Sequence, residues 1–239
     1  MDNIIEVKNV TKTFREVKAL DGVSLDFERG KIHGIIGRNG SGKTVLMKCI
    51  CGFMTPASGE ICVNGQRVKP SKAQENIGII IETPGFIGGK SGLKNLLYLL
   101  ALRGRKDVSV AQNAMRCLGL DPENRKPVRK YSLGMRQRLG IAQAIMEDPE
   151  LLLLDEPMNG LDNQGVEDMR GLFAELREGG KTILLASHSN EDIRTLCDTV
   201  CELDHGRVAA RIGEEIEGES TKDVWQGRGE RFTIQPATP

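Results

Sequence analysis

Two kinds of apolar pattern alternate along the 239 residues of the chain. From Ile4 to Phe14 and from Ala19 to Phe27 apolar and polar residues take turns, as on the strands of an antiparallel layer with one buried face. Elsewhere the aliphatic residues run together: Ile32, Ile35 and Ile36, then Ile77 to Ile81, Leu151 to Leu154, and Thr182 to Ala186. Short runs of this kind suit strands covered on both faces. Helical spacing fills the intervals. Val45 to Ile50 follows the first run; Leu93, Leu96, Leu97 and Leu100 stand behind Ser91 as a cap; a further helix spans about Val110 to Leu118. Leu139, Ala142 and Ile145 share one helical face, as do Val166, Met169, Phe173 and Leu176. Glu28-Arg29-Gly30 and Thr55 to Gly59 read as turns, and Asn64-Gly65 inside Glu60 to Val68 is a hairpin signal. The pattern predicts an α/β fold with an inner parallel sheet, a smaller antiparallel β layer and a helical stretch from Pro84 to about Arg138. The tail, residues 214–239, is rich in Glu and Gly at its start and carries Trp225 and Arg231-Phe232-Thr233-Ile234; no fold is predicted for it.

Polar groups stand at the carboxyl ends of all four inner strands, which is the edge where open parallel sheets bind ligands. The first strand runs into Gly37-Arg38-Asn39-Gly40-Ser41-Gly42-Lys43-Thr44, a Gly, four residues, Gly-Lys-Thr pattern. Between a strand and a helix this is a phosphate-binding loop. The glycines allow main-chain N–H groups to curl around an anion, Lys43 reaches the terminal phosphates, the Thr44 hydroxyl binds Mg2+, and the helix N-terminus adds positive charge. The third strand ends in Asp155-Glu156. Asp155 is placed to hold the magnesium and Glu156 to deprotonate an attacking water. The second strand ends in Glu82 and the fourth in Ser187-His188, with His188 expected to contact the γ-phosphate. ATP and Mg2+ are therefore the expected ligands.

Composition narrows the classes. Lys+Arg and Asp+Glu both number 33 and the sequence pI is about 6.8, which does not point to nucleic acid as a partner. No charged segment followed by a long apolar stretch opens the chain, and the most apolar run, Leu96 to Leu102, is too short to cross a bilayer. A soluble chain is expected. Cys49, Cys51, Cys62, Cys117, Cys197 and Cys201 are scattered, mostly within apolar runs, and read as small core residues in a reducing compartment rather than as a metal site.

The segment Tyr131-Ser132-Leu133-Gly134-Met135-Arg136-Gln137-Arg138 would by itself be a helix cap. Lying between Glu82 and Leu151 to Pro157, which looks like a Walker B strand, it resembles the signature motif of ATP-binding cassette (ABC) ATPases. The resemblance spans about Ile4 to Gly213. It implies a P-loop NTPase with a RecA-like core, an antiparallel β subdomain and an inserted helical subdomain, about 84–138, in one ABC domain reaching to residue 213. It further implies that two cassettes pair head to tail, with ATP between the phosphate loop of one and Ser132, Leu133, Gly134 and Met135 of the other. Asn159-Gly160-Leu161-Asp162 matches the D-loop, so that Asp162 crosses the interface, and Phe14 is the candidate to stack on adenine. The implied partners are a second, identical cassette and a membrane permease, with the chain at the cytoplasmic face of the membrane.

Two departures narrow the resemblance. The usual Leu-Ser-Gly-Gly-Gln is Tyr131-Ser132-Leu133-Gly134-Met135 here, and the glutamine expected after the second inner strand is Glu82, a carboxylate that would reach magnesium-bound water. Both resemble the branch that exports lantibiotics, bacitracin and related peptides or drugs. A non-transport ABC ATPase of chromosomes or DNA repair would carry a long coiled-coil insert, absent between Lys43 and Ser132. The remaining alternative is a nucleotide-binding sensor or immunity module with little turnover.

Overall fold

The computed structural model describes residues 2–69, 76–82 and 84–212; the tail and its Trp225 lie outside the described residues. In chain order the elements are β1 (Asn3–Phe14), β2 (Val17–Glu28), β3 (Ile32–Ile36), α1 (Lys43–Ile50), β4 (Ser58–Val63), β5 (Gln66–Arg67), β6 (Ile77–Ile80) and α2 (Gly92–Leu102). There follow α3 (Val108–Cys117), a 3-10 turn (Val128–Lys130), α4 (Leu133–Ile145), β7 (Leu151–Asp155), α5 (Asn163–Glu178), β8 (Thr182–Ala186), α6 (Asn190–Leu196), β9 (Thr199–Asp204) and β10 (Arg207–Ile212).

The alternating segments form an antiparallel sheet in the order β2-β1-β4-β5. The aliphatic runs form the second sheet, β10-β9-β3-β8-β7-β6, parallel except for the edge strand β10. Side chains on a strand alternate between faces, so this sheet divides the core in two. Ile32, Ile36, Leu152, Leu154, Ile183 and Leu185 join the helices α2 to α5 on one face. Ile35, Leu151, Leu153, Leu184 and Ala186 face α1 and the antiparallel sheet on the other. Each such Leu or Ile removed from water contributes about 1.5–3 kcal/mol.

The helical insert starts where Ser91 accepts a hydrogen bond from the Lys94 N–H, and it carries α2 and α3 against α4. The hairpin β9–β10 and the short α6 were not predicted. Its turn, His205-Gly206, holds both residues at positive φ, 45° and 76°. That hairpin matters to the site, because the Gly206 N–H donates to the Ser41 carbonyl at 3.0 Å.

All six cysteines are free. Cys49, Cys51, Cys197 and Cys201 are buried as expected, whereas Cys117 is exposed, on the outer side of α3. Burial pushes the Cys49 thiol up to about 11 and Cys51 to about 12, which keeps both protonated and inert.

His33 is buried at the start of β3, between its contacts on β2 and β9: its Nε2–H donates to the Glu28 carbonyl at 2.8 Å and its Nδ1 accepts from the Thr199 hydroxyl at 2.6 Å. Burial holds it below the ordinary histidine value of 6.5, against the opposing pull of the Glu28 bond. The unfolded chain therefore takes up a proton near that value while the folded chain does not, and stability falls as pH drops below it. Thermal midpoints measured from pH 7.5 down to 5.5 should fall for the parent and flatten for His33→Asn. An equal slope in both would show that other groups set the acid limb.

Candidate functional site

The carboxyl ends of β3, β6 and β7 meet, as their shared sheet requires, around a cleft of about 460 Å³, and the end of β8 lines an adjoining cavity that also holds Glu156. Residues 39–44, Glu82, Asp155, Glu156 and Asn159 line it. The loop 37–42 is shaped by contacts that exclude side chains. A Cβ on Gly37 would stand 2.2 Å from the Leu203 carbonyl, and one on Gly42 2.5 Å from the Ala19 carbonyl. Both glycines also sit at positive φ, 144° and 109°.

The loop fits a phosphate group on two observations. Ser41 holds a buried hydroxyl with no hydrogen-bond partner. The helix α1 begins at Gly42 with no side-chain cap, whereas Ser91, Asp107, Ser132, Asp162 and Ser189 cap the other helices. An uncapped helix N-terminus in a glycine loop leaves N–H groups and positive dipole for an anion. Lys43 is buried, and its Nζ donates to the carbonyls of Gly37 at 2.6 Å and Arg38 at 3.2 Å. Burial holds it below the usual lysine value while Glu156 and Asp155 pull it back up. Two of its three protons thus hold the loop, leaving one for a phosphate oxygen.

For a metal, the Thr44 hydroxyl and the Asp155 carboxylate converge, Oγ1 to Oδ2 at 2.6 Å. No cluster of three His, Cys, Asp or Glu suited to a metal occurs among the described residues. The donor set therefore fits Mg2+ completed by water and phosphate oxygens rather than an all-protein cage.

Glu156 follows β7 with its backbone in the left-handed region, φ 52°, which is uncommon for a residue with a Cβ. Its N–H donates to the Ala186 carbonyl at 2.9 Å, and Gln137 on α4 donates to the Glu156 and Pro157 carbonyls at 3.3 and 2.7 Å. The turn is thereby aimed, and Glu156 Oε2 meets the His188 Nδ1 at 2.7 Å. A carboxylate only accepts, so Nδ1 carries the proton.

The remaining residues are placed differently. Glu82, also in the left-handed region at φ 61°, lines the same cleft as Thr44 and Asp155, and its carboxylate pairs with Lys48 Nζ at 2.6 Å. Lys48, one turn beyond Thr44 on α1, was not singled out in the sequence; its spacing of four on a helix that starts at the phosphate loop was the available signal. Ser132 is exposed, and its hydroxyl caps α4 by accepting from the Met135 N–H at 3.1 Å. Of the signature segment Leu133, 55% exposed, and Gln137 reach the chain's own cleft; Ser132, Gly134 and Met135 lie outside its lining. Asp162 is exposed and caps α5. Phe14 stands exposed at the end of β1, outside the lining of the cleft, with Lys12 Nζ 5.4 Å from its ring centre.

Fold and site together define a P-loop nucleoside triphosphatase. Residues 20–159 match the family model described as ABC transporter. The bacitracin transport ATP-binding protein BcrA of Enterococcus faecalis is 40% identical over 215 residues, covering 89% of this chain and 70% of that protein. The lantibiotic transport ATP-binding protein SrtF of Streptococcus pyogenes is 31% identical over 205 residues, 86% of this chain and 89% of that protein. A solved dimeric post-hydrolysis state of an ATP-binding cassette, bound to ADP and Pi, superposes with a TM-score of 0.80 over 90% of this chain and 100% of that one; at 24% identity it shows the fold alone. The chain belongs to the ABC transporter family, as an ATP-binding subunit and ATPase homologous to those of bacitracin and lantibiotic transport.

Proposed function

We propose that two copies of this chain pair head to tail and power a separate membrane permease that exports peptide antibiotics or related drugs. The observation that carries the pairing is the division of the site. The cleft brings together the phosphate loop, Thr44, Asp155 and Glu156, with His188 bonded to Glu156 beside it, while the exposed Ser132, with Gly134 and Met135, stands outside its lining at the start of α4. Beyond capping α4, the Ser132 hydroxyl, the Gly134 N–H and the helix N-terminus offer a second anion site that lies outside the chain's own cleft. A partner's phosphates complete it. The exposed Asp162 lies on the same side of the reading, at the cap of α5.

In this reading ATP lies on the loop 37–44 and Mg2+ is held by Thr44 and Asp155, where it neutralises phosphate charge. Glu156 takes the proton of the attacking water. His188 keeps the Glu156 carboxylate aimed through its Nδ1–H and turns its other ring nitrogen to the γ-phosphate. Phe14 supplies the face for adenine. No helix among the described residues is long and apolar enough to cross a membrane; in this reading the permease carries the cargo.

A groove of about 580 Å³ between β6, α2 and α4 supports docking of that chain. It carries the exposed Phe53 and Leu102. Its floor, β6, runs on through Ile81 to Glu82, so a load on the groove bears on the carboxylate at the cleft. ATP hydrolysis should rise when the permease is added in lipid, and change again with a peptide antibiotic. Glu82→Gln should keep nucleotide affinity and lose much of that stimulation. Equal loss of both would assign Glu82 to nucleotide binding, and no turnover even with the permease would favour the sensor reading.

A further inference from the structure

We infer that the buried Arg170–Asp192 pair holds the His188 loop in place, so that Arg170 and Asp192 are positioning residues for ATP hydrolysis. This rests on the reading of Glu156 and His188 as catalytic groups.

The His188 side chain is 62% exposed, so packing does not fix it. Its position is set by the backbone from Ser187 to Ser189, and that backbone is tied to one carboxylate. The Ser189 N–H donates to Ser187 Oγ at 3.1 Å, the Asp192 N–H donates to Ser189 Oγ at 3.2 Å, and the buried Ser187 hydroxyl donates to Asp192 Oδ2 at 3.4 Å. The other oxygen of Asp192 takes two bonds from Arg170 on α5, from Nη2 at 2.6 Å and Nε at 3.0 Å. Both side chains are nearly closed to solvent, 9% and 7% exposed. Arg170 Nη1 also reaches Glu167 at 2.6 Å and Glu191 at 3.3 Å. A single guanidinium thus gathers three carboxylates beside a cavity that Glu156 and His188 share with it.

A staple between α5 and α6 does not call for this chemistry. Two apolar side chains of similar volume would serve as well or better, because desolvating a buried ion pair offsets most of its attraction. What an apolar pair cannot do is offer Ser187 an acceptor. The second oxygen of Asp192 does so, and Arg170 anchors that carboxylate by two charge-assisted bonds converging on its first oxygen.

The test replaces the pair by Arg170→Met with Asp192→Leu. The double variant should keep a thermal midpoint near that of the parent and bind ATP normally, while kcat falls about tenfold or more, since small misplacements of a reacting group are costly. Nitrogen NMR on the nucleotide-free protein supplies a second readout. The chain has three histidines, and the Nδ1 signal of His188 should move as its bond to Glu156 loosens. Arg170→Met alone should lower the midpoint by about 10 °C, because it strands a buried carboxylate. Should the double variant fail to fold, Ser187→Ala cuts the link without touching the pair and should show the same loss of kcat and the same shift of the signal. Parent turnover with an unmoved His188 signal, in either variant, would make the pair a staple and overturn the inference. His188→Ala is run alongside: full turnover there would sink the catalytic reading itself, while the NMR signal still reports on positioning.

Discussion

Replacing Glu156 with Gln should lower ATP turnover by about 100- to 10,000-fold, the range that a general base supplies, and leave ATP affinity intact. The substitution is close to isosteric and removes the basicity together with the charge. A glutamine side chain keeps the length of the carboxylate, and its oxygen can still accept from the His188 Nδ1–H that now lies 2.7 Å from Glu156. The main-chain bonds that aim the turn, from Glu156 N–H to Ala186 and from Gln137 to the Glu156 and Pro157 carbonyls, do not involve the carboxylate at all. Thr44 and Asp155 remain joined, so the donors for Mg2+ persist. With binding kept and cleavage lost, ATP should hold two cassettes together. Phosphate release reports the first effect, and gel filtration with and without ATP and Mg2+ reports the second. Turnover close to that of the parent would remove Glu156 from the catalytic role.

The second large effect is expected at Lys43. Lys43→Ala should weaken ATP binding by roughly 10- to 150-fold, the equivalent of one hydrogen bond from a charged donor, about 1.5–3 kcal/mol. Two features make the lysine's role more than that of a nearby charge. It is buried among the loop it serves, and two of its protons already bond the Gly37 and Arg38 carbonyls, so its remaining proton is aimed rather than free to wander. Loss of those two bonds also frees a loop whose glycines leave no room for alternative packing against Leu203 and Ala19. Titration with a fluorescent nucleotide at fixed Mg2+ measures the effect, and a thermal melt of the same sample separates it from unfolding. Unaltered affinity in a folded variant would count against the assignment.

Much of the site was legible because its chemistry is local. A phosphate loop needs glycines at particular steps, a lysine and a hydroxyl residue within eight positions, and a strand and helix on either side; each requirement is written in adjacent residues. The same holds for Asp155-Glu156 after an aliphatic run, and for the caps at Ser91 and Ser132, where the side chain bonds an N–H three residues on. The helices α2 and α5 followed from spacing alone, as did the Asn64-Gly65 turn between β4 and β5, both of whose residues take positive φ. The short α6 escaped because its apolar residues are few, and the hairpin β9–β10 because its apolar residues are interrupted by charge, with only His205-Gly206 marking the turn.

What the amino-acid sequence by itself determined about this protein is the class of its chemistry: a phosphate loop, an aspartate and a glutamate at the end of an aliphatic strand, and a signature segment that departs from the usual pattern. Tertiary structure alone decided how those groups face one another. It brought His188 to Glu156 across 32 positions, paired the Glu82 carboxylate with Lys48, and set Arg170 beneath the His188 loop. The physical reason is the order of the strands. Placing β3 between β8 and β9, with β7 and β6 beyond, fixes which strand ends are neighbours. That order follows from the joint burial of two apolar faces and not from any local run of residues.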